Sequence, residues 1–146
     1  MPSSPALESP VAQATEAHRP CILLAEDDPA MRALIASMLE QEGYEVIEAR
    51  DGHEVLARLE AVRSQSPLSN PPALIVSDIR MPAYSGLDLL AILRCAACPV
   101  PVILITAFGD EETHAEAREL GATAVLDKPF DLDDLRALVV RAAPIR

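Results

Sequence analysis

The chain has 146 residues, half of them apolar, and carries 12 lysines and arginines against 23 aspartates and glutamates, a formal charge of −11. A chain of this length and composition suits a single domain with a buried core, which excludes disorder for most of it. The acidic balance and the 3% aromatic content argue against a nucleic-acid partner, because phosphate groups attract clustered basic side chains and unpaired bases stack on aromatic rings.

The first 20 residues contain four prolines and no hydrophobic periodicity, which predicts a flexible tail over residues 1–20. One folded domain is expected over residues 21–142, followed by a C-terminal tail over residues 143–146. No apolar run approaches the ~20 residues of a membrane helix, and the N-terminus lacks the apolar block of a secretory signal. We therefore expect a cytoplasmic protein without membrane contact, whose three cysteines are reduced thiols.

Short apolar segments follow the tail, bounded by acidic or turn-forming residues as buried strands are. The predicted strands are residues 21–25, 44–49, 73–77, 102–105 and 123–126. An amphipathic segment follows each strand, and the predicted helices are residues 29–42, 52–62, 87–94, 111–120 and 132–141. Four of these helices follow an aspartate that can accept hydrogen bonds from the first turn, namely Asp28, Asp51, Asp110 and Asp131.

This alternation predicts an α/β fold with a doubly wound, five-stranded parallel sheet. Continuously apolar strands are buried on both faces, and helical crossovers connect parallel neighbours with right-handed geometry. In such sheets, ligands bind beyond the carboxyl ends of the strands. Residues that follow the strands are therefore the first candidates for a functional site.

Polar residues follow four of the five predicted strands. They are Glu26, Asp27 and Asp28 after the first strand, Asp78 after the third, Thr106 after the fourth and Lys128 after the fifth. Clustered carboxylates repel one another, and a hard divalent cation such as Mg²⁺ relieves that repulsion. A carboxylate can also act as a nucleophile towards phosphorus, while the cation, an ammonium and a hydroxyl attend to the phosphoryl oxygens. The cluster thus predicts a metal-assisted phosphoryl site, in which Asp28 serves only as a helix cap.

Four sequence blocks at these strand ends resemble the signature blocks of response regulator receiver domains of two-component systems. They are LAEDDP at residues 24–29, SDIRMP at residues 77–82 with Gly86, ITA at residues 105–107 and DKPF at residues 127–130. Any one block is weak, but four in this order are specific, and the resemblance covers about residues 21–141. It implies a flavodoxin-like fold with strand order 2-1-3-4-5.

The resemblance also implies a role for each site residue. Asp78 corresponds to the phosphoacceptor. Mg²⁺ or Mn²⁺ would be bound by Asp27 directly, by Glu26 mainly through water, by Asp78 and by the backbone carbonyl of Arg80. The phosphoryl oxygens would be bound by Thr106, the backbone N–H of Ala107 and Lys128. The Lys128–Pro129 peptide bond is expected to be cis, which costs little before proline.

The family likewise implies partners. A sensor histidine kinase or a histidine phosphotransfer protein would donate the phosphoryl group, and a downstream protein would dock on helix four, strand five and helix five. We expect a monomer or a weak, phosphorylation-dependent homodimer. Because the sequence ends about five residues after the last predicted helix, a stand-alone receiver without an output domain is expected. Its only catalysis would be its own phosphorylation and dephosphorylation.

The sequence departs from the family pattern at Val125, three residues before the lysine, where family members usually have a tyrosine or phenylalanine. That aromatic ring changes position with the site threonine, so a non-standard relay of the signal is expected, with Phe108 as a candidate partial substitute. Arg80 and Phe108 stand two residues after Asp78 and Thr106, where side chains influence the access of water to the acyl phosphate. We predict slow loss of the phosphoryl group.

Two other functions compete with this interpretation. Phosphatases that use an aspartyl nucleophile typically place a second aspartate two residues after the first, but Arg80 occupies that position here. A phosphate-independent interaction module with the same fold would have no need of the complete set of site residues.

Cys95 and Cys98 form a C-x-x-C pair that could be a redox pair, half of a zinc site or two inert thiols. Redox pairs usually lie at the start of a helix, whereas this pair lies at the predicted end of one. A zinc site needs two further ligands, and His18, His53 and His114 are widely separated in the sequence. Inert thiols are the favoured interpretation.

Overall fold

The computed structural model describes residues 19–64, 71–107 and 109–145, without the side chains of residues 63 and 64. Within these ranges, strands and helices alternate in the order β1 (Cys21–Ala25), α1 (Pro29–Gln41), β2 (Glu45–Ala49), α2 (Gly52–Ser64), β3 (Leu74–Asp78), α3 (Gly86–Cys95), β4 (Val102–Thr106), α4 (Glu111–Glu119), β5 (Ala124–Asp127) and α5 (Leu132–Ala142). The strands form one parallel sheet in the order β2-β1-β3-β4-β5. The predicted fold class and strand order are therefore confirmed.

The sheet is covered on both faces, which explains its continuously apolar strands. Every residue of β3 and β4 is buried. Successive side chains of a strand point to opposite faces: Ile22 and Leu24 pack on the side of α1 and α5, whereas Leu23 packs on the side of α2, α3 and α4. The two faces thus carry separate apolar clusters, and the polar site is confined to the edge of the sheet.

Six predicted strand boundaries shift by one residue, namely the start of β2, both ends of β3, the end of β4 and both ends of β5. Tyr44 was predicted as the first residue of β2, but its N–H donates to the carbonyl of Leu39 (3.1 Å), so it closes the turn after α1. Its buried hydroxyl donates to the carbonyl of Ala143 (2.7 Å). At the other end, β3 includes Asp78 and β5 includes Asp127, which pair with Ile105 and Thr106 of β4. Asp78 is therefore held by the sheet itself.

The helix starts are mostly capped as predicted. Asp28 accepts from the N–H of Ala30 (3.1 Å), Asp51 from that of Glu54 (2.9 Å) and Asp110 from that of Thr113 (2.8 Å). Asp131 occupies the N-cap position of α5, but its side chain makes no capping hydrogen bond, so the predicted cap is wrong there. Helix α3 has a reciprocal cap that sequence reasoning missed, in which Ser85 and Asp88 each accept from the other's N–H.

Arg94 connects the loops at the amino-terminal edge of the sheet, opposite the polar residues. One guanidinium nitrogen donates to the carbonyls of Cys98 (2.8 Å) and Val100 (3.1 Å). The other donates to the carbonyl of Gly121 (3.1 Å). The α3–β4 and α4–β5 connections are thereby fixed to one side chain. Cys98 and Cys95 are both free thiols, and α3 ends at Cys95.

No helix in the described part of the chain is long and apolar enough to cross a membrane. The predicted N-terminal tail lies outside the described residues except for Arg19 and Pro20.

Candidate functional site

Three carboxylates converge at the carboxyl-terminal edge of the sheet. Glu26 follows β1 and is 1% exposed, and Asp78 ends β3 and is 4% exposed, whereas Asp27 lies at the surface. One oxygen from each carboxylate lies within 4.8 Å of the other two. The sheet therefore brings together the acidic residues that the sequence predicted as neighbours.

The backbone of Glu26 is fixed on several sides. Its N–H donates to the carbonyl of Ala49 (3.1 Å), which extends the β1–β2 pairing by one residue. Its carboxylate oxygen Oε2 accepts from the N–H of Asp28 (3.1 Å). Its carbonyl oxygen accepts from Nη1 of Arg32 in α1 (2.8 Å). These contacts hold the acidic turn against the ends of β1 and α1.

Asp78 is held equally closely by the loop that follows it. Its Oδ1 accepts from the N–H of Arg80 (3.2 Å), and the N–H of Ile79 donates to the carbonyl of Ile105 (2.8 Å). Gly86 starts α3 directly against this turn, since a Cβ at that position would lie 2.7 Å from the carbonyl oxygen of Asp78. The absence of a side chain at Gly86 thus lets α3 begin beside the candidate acceptor.

Lys128 supplies the positive charge of the site. Its Nζ donates to Oδ2 of Asp78 (2.8 Å) and lies 3.5 Å from Oε1 of Glu26. Its backbone N–H donates to the carbonyl of Thr106 (2.7 Å), and its peptide bond to Pro129 is cis, as expected. Burial alone would lower the pKa of Lys128, but the hydrogen bond and the charge of Asp78, with that of Glu26, raise it above its ordinary value.

The site carries more negative than positive charge, because three carboxylates, those of Glu26, Asp27 and Asp78, surround the single ammonium of Lys128. Burial, the strongest influence, raises the pKa of Glu26 to about 7, and the charge of Asp78 adds to this effect. The N–H of Asp28 and the charge of Lys128 act in the opposite direction. At 3.5 Å, the Lys128 ammonium is within ion-pair distance of Oε1 of Glu26 but makes no hydrogen bond to it. Within the described ranges, this oxygen is the one buried side-chain polar atom without a hydrogen-bond partner.

The donor set fits a small divalent cation. Mg²⁺ prefers carboxylate, carbonyl and water oxygens. One oxygen from each of the three carboxylates lies within 4.8 Å of the other two, and Oε1 of Glu26 is buried without a hydrogen-bond partner. The surface beside Asp27 is a depression bordered by Arg80, Met81 and Pro82, which leaves space for water ligands and a phosphoryl group.

The remaining predicted residues lie around this centre. Thr106 is buried at the end of β4, and Ala107 is exposed directly after it. Val125 is half-buried in β5 and packs on the α3–α4 side, beside a surface hollow that His114 also lines. Phe108 lies outside the described residues, so both expectations for it remain predictions.

Two contacts near the site were not foreseen from the sequence. Arg32 reaches from α1 to the carbonyl of Glu26, and His114 of α4 lies 2.9 Å from Asp127 at the end of β5. Neither pair has a spacing typical of a motif, and each depends on how a helix packs against a neighbouring strand. The only cue in the sequence was the position of both side chains on the first turns of helices that flank the site.

The sequence matches the family described as "Response regulator receiver domain" over residues 22–140. The chain therefore belongs to the response regulator receiver domain family, which is found in two-component phosphorelay systems. Receiver domains interact with histidine kinases or phosphotransfer proteins and are not classical enzymes.

Individual relatives agree with this assignment. The transcriptional regulatory protein PdtaR of Mycobacterium tuberculosis is 35% identical over 115 residues, covering 78% of this chain and 52% of that protein. Sporulation initiation phosphotransferase F of Bacillus subtilis is 30% identical over 125 residues, covering 86% of this chain and 94% of that protein. The chain thus spans about half the length of PdtaR and of several other regulators that it matches.

Solved structures give the same result. The chemotaxis response regulator CheY4 of Vibrio cholerae has a TM-score of 0.73 and 27% identity, over 85% of this chain and 98% of that one. The receiver domain of the Francisella response regulator 1452 has a TM-score of 0.75 and 31% identity, over 86% of this chain and 97% of that one.

Proposed function

We propose that the receiver domain, residues 21–142, takes a phosphoryl group onto Asp78 from a phosphohistidine of a sensor histidine kinase or a histidine phosphotransfer protein. The observation that carries this proposal is the position of Asp78, whose carboxylate ends a buried strand, bonds to Lys128 and lies beside two further acids. The name of the Bacillus subtilis relative, sporulation initiation phosphotransferase F, supports the same chemistry.

The transfer follows from the side chains around Asp78. A carboxylate oxygen of Asp78 attacks phosphorus, the phosphorus–nitrogen bond of the donor histidine breaks, and the nitrogen keeps the electron pair of that bond. Lys128, already 2.8 Å from the nucleophile, neutralises charge on the transferred group. Glu26, Asp27, Asp78 and the carbonyl of Arg80 would hold Mg²⁺ or Mn²⁺, which when bound supplies positive charge to the phosphoryl oxygens.

Two groups at the end of β4 complete the phosphoryl site. The hydroxyl of Thr106 and the N–H of Ala107 bind phosphoryl oxygens, because Thr106 ends β4 and Ala107 directly follows it, and β4 pairs directly with β3. Preorganised donors of this kind stabilise the charge that spreads over a transferring phosphoryl group. The only catalysis of the domain is its own phosphorylation and dephosphorylation.

The signal is read as a change in protein contacts at the surface formed by α4, β5 and α5. Val125 lies in the central element of this surface and has no aromatic ring to move with Thr106. A Val125→Tyr variant tests whether this position takes part. Unchanged partner binding in both phosphorylation states would show that it does not.

The experiment that tests the proposal is intact mass spectrometry after incubation with Mg²⁺ and a small acyl-phosphate donor. The wild type is expected to gain one phosphoryl group, and Asp78→Asn to gain none. Asp133→Asn, on the exposed start of α5, is a matched control that retains the adduct, since Asp133 contacts Arg136 and not the site. Hydroxylamine should remove the adduct, because it cleaves acyl phosphates. An adduct that persists in Asp78→Asn would refute the assignment.

The second candidate is a phosphate-independent interaction module. It predicts no adduct on any variant and a partner that binds the wild type and Asp78→Asn equally. The aspartyl phosphatase is disfavoured by Arg80, which supplies no carboxylate to protonate a leaving group.

A further inference from the structure

Arg32 lies in α1 and is directed towards the acidic turn rather than into solvent. Its side chain is 15% exposed. Nη1 donates to the carbonyl oxygen of Glu26 (2.8 Å), and Nε donates to Oε1 of Glu48 in β2 (3.2 Å). A single guanidinium therefore joins α1, β2 and the residue after β1.

The bond to Glu26 acts on the backbone between two of the predicted cation ligands. The carbonyl that accepts from Arg32 belongs to the peptide unit that joins Glu26 to Asp27. Rotation of this peptide would turn the Asp27 side chain relative to Asp78, because Asp27 is exposed and follows the last strand contact of β1. The Arg32 contact opposes that rotation.

Glu48 keeps the guanidinium in place. Arginine presents several donors in one rigid plane, so it can bond to Glu48 and to the Glu26 carbonyl at the same time. A lysine at position 32 would have a single ammonium for two acceptors in different directions. This geometry explains why Arg32, a long and largely buried basic side chain, occupies the start of α1.

We infer that Arg32 is a positioning residue for the cation site: it fixes the Glu26–Asp27 peptide so that both carboxylates face Asp78. The inference rests on the cation binding of the proposed function and extends it to a side chain that touches neither the cation nor the phosphoryl group.

Positioning and simple electrostatics predict opposite effects. Arg32 is a positive charge near the site, so its removal would strengthen cation binding if charge alone mattered. If Arg32 orients the ligands, its removal weakens binding, as it does for other residues that orient metal ligands through hydrogen bonds. The sign of the change therefore separates the two roles.

The experiment is calorimetric titration of Mg²⁺ into the wild type, Arg32→Met, Arg32→Lys and Arg50→Met. Arg32→Met is expected to weaken Mg²⁺ binding about tenfold, and Arg32→Lys to recover part of that loss. Arg50 is a matched charge control, since it follows β2 at the same edge of the sheet but bonds to Glu54. Arg50→Met is expected to bind Mg²⁺ within about twofold of the wild type.

The outcomes decide the inference. Mg²⁺ binding by folded Arg32→Met that is equal to or tighter than wild-type binding would overturn it, and so would a wild type that binds no Mg²⁺. Circular dichroism in EDTA confirms folding, and Arg32→Lys provides the test if Arg32→Met does not fold. Weakened Mg²⁺ binding together with no phosphoryl adduct on the wild type would support the positioning role while refuting the proposed function.

Discussion

Nε2 of His114 lies 2.9 Å from Oδ1 of Asp127, so helix α4 is joined to the carboxyl end of β5. Gly109, in the loop between β4 and α4, lies directly over this pair. A Cβ at Gly109 would overlap the Asp127 carboxylate and lie 2.8 Å from Nε2 of His114. Because residue 109 has no side chain, the loop after Thr106 approaches β5 without displacing the Asp127 carboxylate from His114.

Gly109→Ala is expected to lower the free energy of unfolding by less than about 1 kcal/mol, because the added methyl group displaces the exposed Asp127 carboxylate from His114. Thermal or urea denaturation measures the change. Asp127→Ala should relieve most of the penalty in the double variant, since the overlapping atoms belong to the Asp127 carboxylate. Additive effects of the two substitutions would contradict this explanation.

The stability of the cation-free protein should depend on the ionisation of Glu26. Its pKa is about 7 in the fold against 4.5 ordinarily, so the native state binds more protons than the unfolded state between these values. The free energy of unfolding should therefore fall as pH rises from 4.5 towards about 7, by at most about 1.4 kcal/mol per pH unit from this group. Urea titrations in EDTA at several pH values measure this slope.

Glu26→Gln should remove that contribution, and saturating Mg²⁺ should reduce it, because cations bind the ionised form. Glu54→Gln is a suitable control. The backbone N–H of Arg50 and, after it, the Arg50 side chain donate to the Glu54 carboxylate and lower its pKa. Glu54 therefore titrates below the range from pH 4.5 to about 7. An identical slope for the wild type and Glu26→Gln would show that Glu26 ionises normally in the fold.

Lys128 is the only lysine of the sequence, which makes its titration accessible. Reductive ¹³C-methylation would give one lysine NMR signal besides that of the N-terminus. Its pKa should lie above 10.5 in the wild type, and Asp78→Asn should lower it by removing the largest favourable charge. Folding raises the pKa of Lys128, so the charged ammonium stabilises the folded state. This contribution is complete below pH 10.5 and is lost as pH rises through the pKa of Lys128 in the folded protein.

Lys128→Met is expected to lower the free energy of unfolding by about 1–3 kcal/mol at pH 8, because Asp78 loses its 2.8 Å donor while remaining buried. The measurement is urea denaturation in EDTA. Arg136→Met, which breaks exposed ion pairs with Glu42 and Asp133, should cost less than about 1 kcal/mol. A smaller loss for Lys128→Met than for this control would refute the importance of the buried pair.

Tyr44→Phe should destabilise the protein by about 1–2 kcal/mol, since the buried carbonyl of Ala143 loses the hydroxyl that donates to it. Tyr84→Phe provides a control because Tyr84 is 39% exposed. Thermal denaturation of both variants measures the difference. Equal melting temperatures would show that water replaces the hydroxyl after Ala143.

The sequence was sufficient to predict the sheet and the convergence of Glu26, Asp27 and Asp78 at one of its edges. Apolar runs that end at acids define β1 and β3, and parallel strands deliver those acids to one edge whatever the details of packing. The degree to which each acidic side chain is buried was not predictable from the sequence. Glu26 is buried and Asp27 is the exposed member of the pair, and the expectation that Glu26 acts on the cation mainly through water stays a prediction.

Contacts between distant elements were also missed, because they depend on how the helices pack against the sheet. The bond from Arg32 to Glu26 depends on how α1 packs beside β1, and the His114–Asp127 pair depends on the angle of α4. Leu34 has the spacing of the apolar face of α1, but it is 51% exposed because the packed face of that helix centres on Ile35 and Leu39. Periodicity indicates which residues share a face, and tertiary packing decides how wide that face is.

The guanidinium of Arg94 links two connections at one edge of the molecule. Three carbonyls from these connections accept from this side chain at the amino-terminal edge of the sheet, so opening of either connection is expected to disturb the other. The loops around Asp78 depend instead on charges that change when a cation or phosphoryl group binds. Slow hydrogen exchange should therefore persist at the Arg94 edge, while ligand-dependent changes in exchange concentrate at the opposite end of the same strands.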